Sequence, residues 1–196
     1  MRTRQFAIDV VRGCAQTKAD DEVRVTTVVW INGPFGVGKT SAAADLARRL
    51  PSSMTFNPEV IGSALALLTL GRARDFQDIA LWRTVCSLAL RGLARLGFRF
   101  VIVPMTVLNV DYLAEILKPL RDEQSNPRLF VLDVTEATLR CRIACDRSNV
   151  KAAEWRYANI GQYLDSRSTL AEAGELIDTN NLSAQAVAGR ITACLA

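Results

Sequence analysis

The chain has 196 residues, of which 49% are hydrophobic, 22% charged and 7% aromatic. That length and apolar fraction suit one packed domain and exclude a disordered or purely solvating chain. The formal net charge is +4; it is scattered rather than massed, which argues against a dedicated nucleic-acid surface.

Residues 1–24 place Phe6, Ile8, Val10 and Val11 ahead of a polar stretch, Gln16 to Glu22. They read as an N-terminal extension to a domain spanning 25–196. Val25–Ile31 is a near-continuous β-branched and apolar run, as a parallel strand buried on both faces requires. It leads into Asn32-Gly33-Pro34-Phe35-Gly36-Val37-Gly38-Lys39-Thr40, and Ser41–Leu50 then reads as an alanine-rich helix stopped by Pro51. A short strand is predicted at Met54–Phe56. Asn57 then caps a helix that has Pro58 at its first position and runs to Leu70.

A long amphipathic helix is predicted over Phe76–Leu96, with Ile79, Trp82, Cys86, Ala89, Leu93 and Leu96 in helical spacing. Phe98–Val103 is a second buried strand, ended by Pro104. Tyr112–Leu120 is helical with a kink at Pro119, and Leu129–Leu132 is a third buried strand, ended by Asp133. A basic helix over Ala137–Ala144 leads through Asp146–Asn149 to another over Ala152–Leu164. Glu175–Asp178 is the last strand and Ser183–Leu195 the closing helix. The alternation implies an α/β fold, a five-stranded parallel sheet with helices on both faces and right-handed crossovers. Ligands then bind beyond the carboxyl ends of the strands.

Histidine is absent. Ser-His-Asp and Cys-His nucleophiles are therefore excluded, and a zinc ion would find only thiolates and carboxylates. The five cysteines, Cys14, Cys86, Cys141, Cys145 and Cys194, form an odd set without a CxxC pair, the usage of a reducing compartment. Cys141 and Cys145 stand four apart and are expected on a buried helix face. No uncharged run approaches the ~20 residues of a membrane span, and no signal-peptide core is present. The expected location is the cytoplasm, with no membrane span and no nucleic-acid partner.

Gly33-x-x-x-x-Gly38-Lys39-Thr40 is a complete phosphate-binding loop, in place between a buried strand and a helix. Its glycines open backbone angles closed to other residues, so that successive N–H groups form a cradle for anionic oxygens. The helix N-terminus adds its dipole. Lys39 supplies a full charge for the β- and γ-phosphates, and Thr40 a hydroxyl for Mg²⁺. Residues Gly33, Pro34, Phe35, Gly36, Val37, Gly38, Lys39, Thr40 and Ser41 are thus expected to hold ATP and its metal. There is no Asn-Lys-x-Asp guanine pattern, and Pro104 rather than Asp ends the second buried strand. This is the layout of a P-loop NTPase fold of the nucleoside- or shikimate-kinase type: a small-molecule kinase, with an acceptor pocket and arginines that close over the transferring group.

The run Val28–Thr40 resembles the opening of the tunicamycin-resistance protein family, a branch of the P-loop small-molecule kinases. The similarity continues through Asn57-Pro58-Glu59-Val60-Ile61-Gly62, Asp75-Phe76-Gln77, Leu81-Trp82-Arg83, Ile102–Thr106 and Asp178–Ser183, and spans about residues 25–196. The resemblance implies ATP-dependent resistance to a nucleoside antibiotic. Phosphorylating a drug hydroxyl would add about −1.5 to −2 charges and exclude the drug from its target. The family usually has Asp-Pro-Glu where this chain has Asn57-Pro58-Glu59. Asparagine caps a helix equally well but accepts no proton, which leaves Glu59 and Asp75 as base candidates; a loose transition state needs little early proton removal.

Several assignments stay open between two roles. Glu59 serves the acceptor or the helix dipole, and Asp75 the acceptor or a helix cap. Arg83 faces the acceptor or solvent. Trp82 packs in the core or stacks on a base or sugar. Asn57, Met105 and Thr106 complete the expected acceptor side. Arg142 and Arg147 resemble lid arginines that neutralise transferring phosphate, in a mobile lid around residues 142–156; a solvated helix face is the alternative. Asp178, Thr179 and Asn180 stand where related kinases hold adenine, or form an ordinary strand-to-helix turn. Drug sequestration without turnover and a metabolic sugar or nucleoside kinase remain as rival functions, and the chain is a monomer or a homodimer.

Overall fold

The computed structural model describes residues 25–68, 75–121, 125–147 and 152–196. The expected extension at 1–24, including Cys14, the end of the second helix at Leu70 and the turn residues Ser148 and Asn149 lie outside the described residues.

β1 (Thr26–Asn32) is the spine of the sheet. Val28 and Trp30 point into one layer, Val29 and Ile31 into the other, and all four are fully buried. Two-sided burial explains the unbroken apolar run, because no residue of a central parallel strand has a wet face. β3 (Phe100–Pro104) and β4 (Ser125–Asp133) flank β1, while β2 (Ser53–Thr55) and β5 (Glu175–Asp178) form the edges. The order is β2-β3-β1-β4-β5, with every pairing parallel. This is the expected five-stranded α/β sheet.

α1 (Lys39–Arg49) and α8 (Ala184–Leu195) cover one face through Ala42, Ala43, Leu46, Val187, Ala188 and Ile191. α3 (Ala80–Arg95), α4 (Val110–Leu117) and α7 (Ile160–Ala173) cover the other through Trp82, Cys86, Leu90, Leu113, Ile116, Tyr163 and Leu170. α2 (Glu59–Leu68), α5 (Glu136–Cys145) and α6 (Ala153–Ala158) lie around the carboxyl end of the sheet.

Several sequence-based boundaries shift; the helix expected over Tyr112–Leu120 is α4 followed by a 3₁₀ turn, Lys118–Leu120. The long helix expected from Phe76 is a 3₁₀ turn, Phe76–Asp78, and then α3, separated by Ile79 in extended conformation. The helix expected over Ala152–Leu164 is two helices joined at Asn159, and the second continues to Ala173. β4 begins at Ser125, earlier than its apolar run, and includes Pro127. Proline is tolerated there because β5 joins β4 only from Phe130 onward, so Pro127 has a ladder partner on one side alone. Cys141 and Cys145 are exposed, against the expectation of a buried face; α5 turns Leu139 and Ile143 inward instead. Burial pushes the Cys86 thiol up to about 12, which leaves it inert. No described helix is long and apolar enough to cross a membrane.

Candidate functional site

The loop after β1 is braced from below before it meets any ligand. Asn32 is fully buried, and its side-chain amide behaves as an extra peptide group. Its Oδ1 accepts from the N–H of Gly33 and of Val107, both at 2.9 Å, and its Nδ2 donates to Val107 O at 2.7 Å. Thr106 Oγ1 donates to Gly33 O at 2.9 Å, and Gln77 Nε2 donates to Thr106 O at 3.0 Å. Two glycines are dictated by space as well as by angle. A Cβ on Gly33 (φ 135°) would sit 2.5 Å from Leu132 O, and one on Gly36 (φ 92°) would sit 2.8 Å from Ile143 Cγ1.

α1 starts at Lys39, directly beyond left-handed Gly38, so its free N–H groups and dipole face the loop. Lys39 Nζ donates to Gly33 O at 3.0 Å and to Pro34 O at 2.9 Å. Burial pushes its ammonium pKa down to about 7; Glu59 pulls it back up and Arg156 pushes it further down. Lys39, Glu59 and Arg156 therefore share one electrostatic neighbourhood, although they come from α1, α2 and α6.

These residues line an open cleft of about 1050 Å³ at the carboxyl end of the sheet. Arg142, from α5, closes one wall. It donates to Val37 O and Thr179 Oγ1, both at 3.1 Å, and to Thr179 O at 2.5 Å. Thr179 is held in turn by Asp133 O, which accepts from its N–H and its hydroxyl at 2.8 Å. Another wall carries Trp155 and Arg156 of α6. Trp155 meets Phe35 with ring centroids 4.3 Å apart, and Arg156 donates to Asp146 Oδ2 at 2.6 Å.

The predicted residues divide between this cleft and other places. Phe35 to Ser41, Glu59, Thr106, Arg142 and Thr179 line it. Gly33 and Pro34 are the buried start of the same loop. Asn57 is the helix cap it was expected to be, its Oδ1 accepting from Glu59 N at 2.9 Å. Trp82 is wholly buried and its indole N–H donates to Pro58 O at 3.1 Å, so no ring face is open for stacking. Met105 is also core, its carbonyl accepting from Trp30 Nε1. Asp75 is exposed, lies outside the cleft lining and caps the 3₁₀ turn by accepting from Gln77 N. Arg83 is neither solvated nor at the cleft. It is buried, donates to Glu115 Oε2 at 2.5 Å and to Gln77 O at 2.6 Å, and lies over the Tyr112 ring. Arg147 is exposed and outside the lining. Asp178 and Asn180 bond to each other beside the cleft, and Asn180 also accepts from Thr135.

Sequence reasoning overlooked Asn32, Trp155 and Arg156. An amide closing a buried strand before glycine was a usable signal for the first. The other two were hidden because they belong to no recognisable motif and reach the loop only through the setting of α6.

A glycine loop, a half-buried lysine and a helix N-terminus at the mouth of a 2-3-1-4-5 parallel sheet define a P-loop kinase-like protein. Residues 28–169 match the AAA domain family. Among solved structures, the tunicamycin resistance protein of Deinococcus radiodurans is 31% identical, with 87% of this chain and 95% of that chain covered and a TM-score of 0.64. A sugar kinase from a Janibacter species is 16% identical over 87% of this chain and 94% of that one, with a TM-score of 0.62. Shikimate kinase from Bacteroides thetaiotaomicron is also 16% identical, over 86% and 98%, with a TM-score of 0.60; both share the fold. No curated protein matches the chain. The chain belongs to the AAA domain family and to the family of tunicamycin-resistance proteins.

Proposed function

We propose that this protein is an ATP- and Mg²⁺-dependent phosphotransferase that modifies a hydroxyl of a tunicamycin-like nucleoside antibiotic and so confers resistance. The observation that carries the reading is the placing of a phosphate loop and an acidic side chain, Glu59, in one open cleft where each acts on Lys39. A carboxylate in the same cleft as the phosphate loop is what an acceptor hydroxyl would need beside it. The likeness to the Deinococcus radiodurans protein supports resistance as the outcome.

ATP would lie along the loop N–H groups, with its base toward Arg142, Thr179, Leu182 and Val187. The donor set fits Mg²⁺: Thr40 and Ser41 present exposed hydroxyls at the first turn of α1, and Thr40 would hold the ion. Bound there, Mg²⁺ would neutralise charge on the β- and γ-phosphate oxygens. Lys39, charged once phosphate replaces Gly33 O and Pro34 O as its partner, stabilises the transferring group. Glu59 orients the acceptor hydroxyl and receives its proton late in the transfer. Arg156 takes the role expected of Arg147, while Arg142 holds the loop and the 178–180 turn in register. Of the expected lid at 142–156, residues 148–151 lie outside the described residues; Arg142, Trp155 and Arg156 would help to exclude water from the cleft.

Incubating the protein with ATP, Mg²⁺ and a panel of nucleoside antibiotics, read by product mass, tests the proposal. A drug heavier by one phosphoryl group is expected. Tight drug binding with unchanged drug mass would replace it with sequestration, and phosphorylation of a common sugar or nucleoside alone would replace it with a metabolic kinase.

A further inference from the structure

The three tryptophans of the chain are treated differently by the fold. Trp30 and Trp82 are completely buried, and each indole N–H is committed to a backbone carbonyl. Trp155 is 53% exposed and stands in the wall of the cleft. Its ring meets Phe35 of the phosphate loop at 4.3 Å between centroids, with the planes inclined by 60°. Lys39 Nζ is 5.4 Å from the Phe35 centroid, so the aromatic pair adjoins the group that meets the end of the phosphate chain.

A half-exposed indole leaves apolar surface in water, which is unfavourable unless something covers it. Here the surface lies beside Lys39, Glu59 and Arg156, where a kinase holds its acceptor. Flat rings are what such surfaces cover best, because stacking adds face-to-face or tilted contact without demanding a hydrogen-bond partner. We propose that Phe35 and Trp155 form a shelf on which the acceptor lays one ring, either the flat face of a pyrimidine base or the apolar C–H face of a sugar. The inference rests on the phosphotransferase reading for the word acceptor, and its test is separable from that reading.

Acrylamide quenching of the intrinsic fluorescence reports on Trp155, since Trp30 and Trp82 have no exposed surface. The full chain is first saturated with Mg²⁺ and a non-hydrolysable ATP analogue. Uridine and N-acetylglucosamine are then added in separate arms, and tunicamycin in a third. At least one of the three is expected to lower the quenching constant about twofold, and the first two arms tell a base from a sugar. W155A is expected to raise the KM for the antibiotic about tenfold while leaving the KM for ATP unchanged, and W155F to stay within about threefold of wild type. Three results would overturn the shelf: full protection by the nucleotide analogue alone, protection by none of the three probes, or a KM change confined to ATP. Protection without any phosphorylated product from the wild type sinks the phosphotransferase reading and keeps the shelf. Product formed at normal KM by W155A does the reverse.

Discussion

The two ends of the cleft are built from different materials. At one end Arg142, Thr179 and Val37 are cross-braced through carbonyl oxygens, and Thr179 is tied on to Asp133. At the other, Glu59 and Trp155 are exposed, Arg156 is ion-paired with Asp146, and Trp155 meets the loop through the Phe35 ring. A nucleotide is the same molecule in every turnover, so its end can be rigid. On the phosphotransferase reading proposed above, the other end would take a variable acceptor, and its exposed side chains suit an element that opens and closes.

The largest effect that could break this division is at Lys39, which stands where the two ends meet. Lys39→Ala is expected to lower kcat about 10³-fold without lowering the thermal midpoint, since a desolvated ammonium is lost; wild-type turnover would remove the kinase reading. Glu59→Gln should cut kcat about 10²-fold and leave ATP affinity alone, as steady-state kinetics with varied ATP would register. An unaltered kcat would reduce Glu59 to a carboxylate stabilising its helix end. Arg142→Ala should act in the opposite sense, raising the KM for ATP about tenfold with less change for the antibiotic, because three hydrogen bonds that shape the nucleotide end are lost. A change confined to the antibiotic would reverse the assignment of the two ends.

Smaller changes sharpen the picture. Thr106→Val removes the hydroxyl that supports Gly33 O and should cost about 1 kcal/mol of stability in denaturant unfolding. Lys39 also makes a prediction about protons. With its pKa lowered to about 7 by burial, it is mostly neutral at pH 8 in the free protein. Phosphate favours the charged form, so Mg-ATP binding at pH 8 should take up a fraction of a proton, seen as a binding heat that varies with buffer ionisation enthalpy. The same shift makes folding stability rise with pH between about 7 and the ordinary lysine value, because the unfolded chain binds more protons there. A buffer-independent heat would mean that Lys39 is already fully charged.

Acid should weaken the fold through Asp133. Burial pushes its carboxyl up, but the Arg167 and Tyr163 hydrogen bonds outweigh this and hold it below the usual carboxylate range. Its stabilising contribution is present above the ordinary Asp value and is lost as pH falls through the lowered one.

The phosphate loop, the order of strands and helices and the burial of β1 were all written in consecutive residues. Phosphate is held mainly by backbone N–H groups of one short segment, and a strand buried on both faces leaves an uninterrupted apolar run, so local pattern is enough for both. The acceptor side was not legible in this way. Trp82, Arg83 and Met105 have the residue types of a binding pocket, yet packing turns them to Pro58, Glu115 and the core. Trp155 and Arg156 have no local motif and reach the loop only because α6 is brought back over it. Side chains far apart in the chain make that end of the cleft, and which of them face it depends on the relative setting of helices, a property of packing that no single stretch of sequence contains.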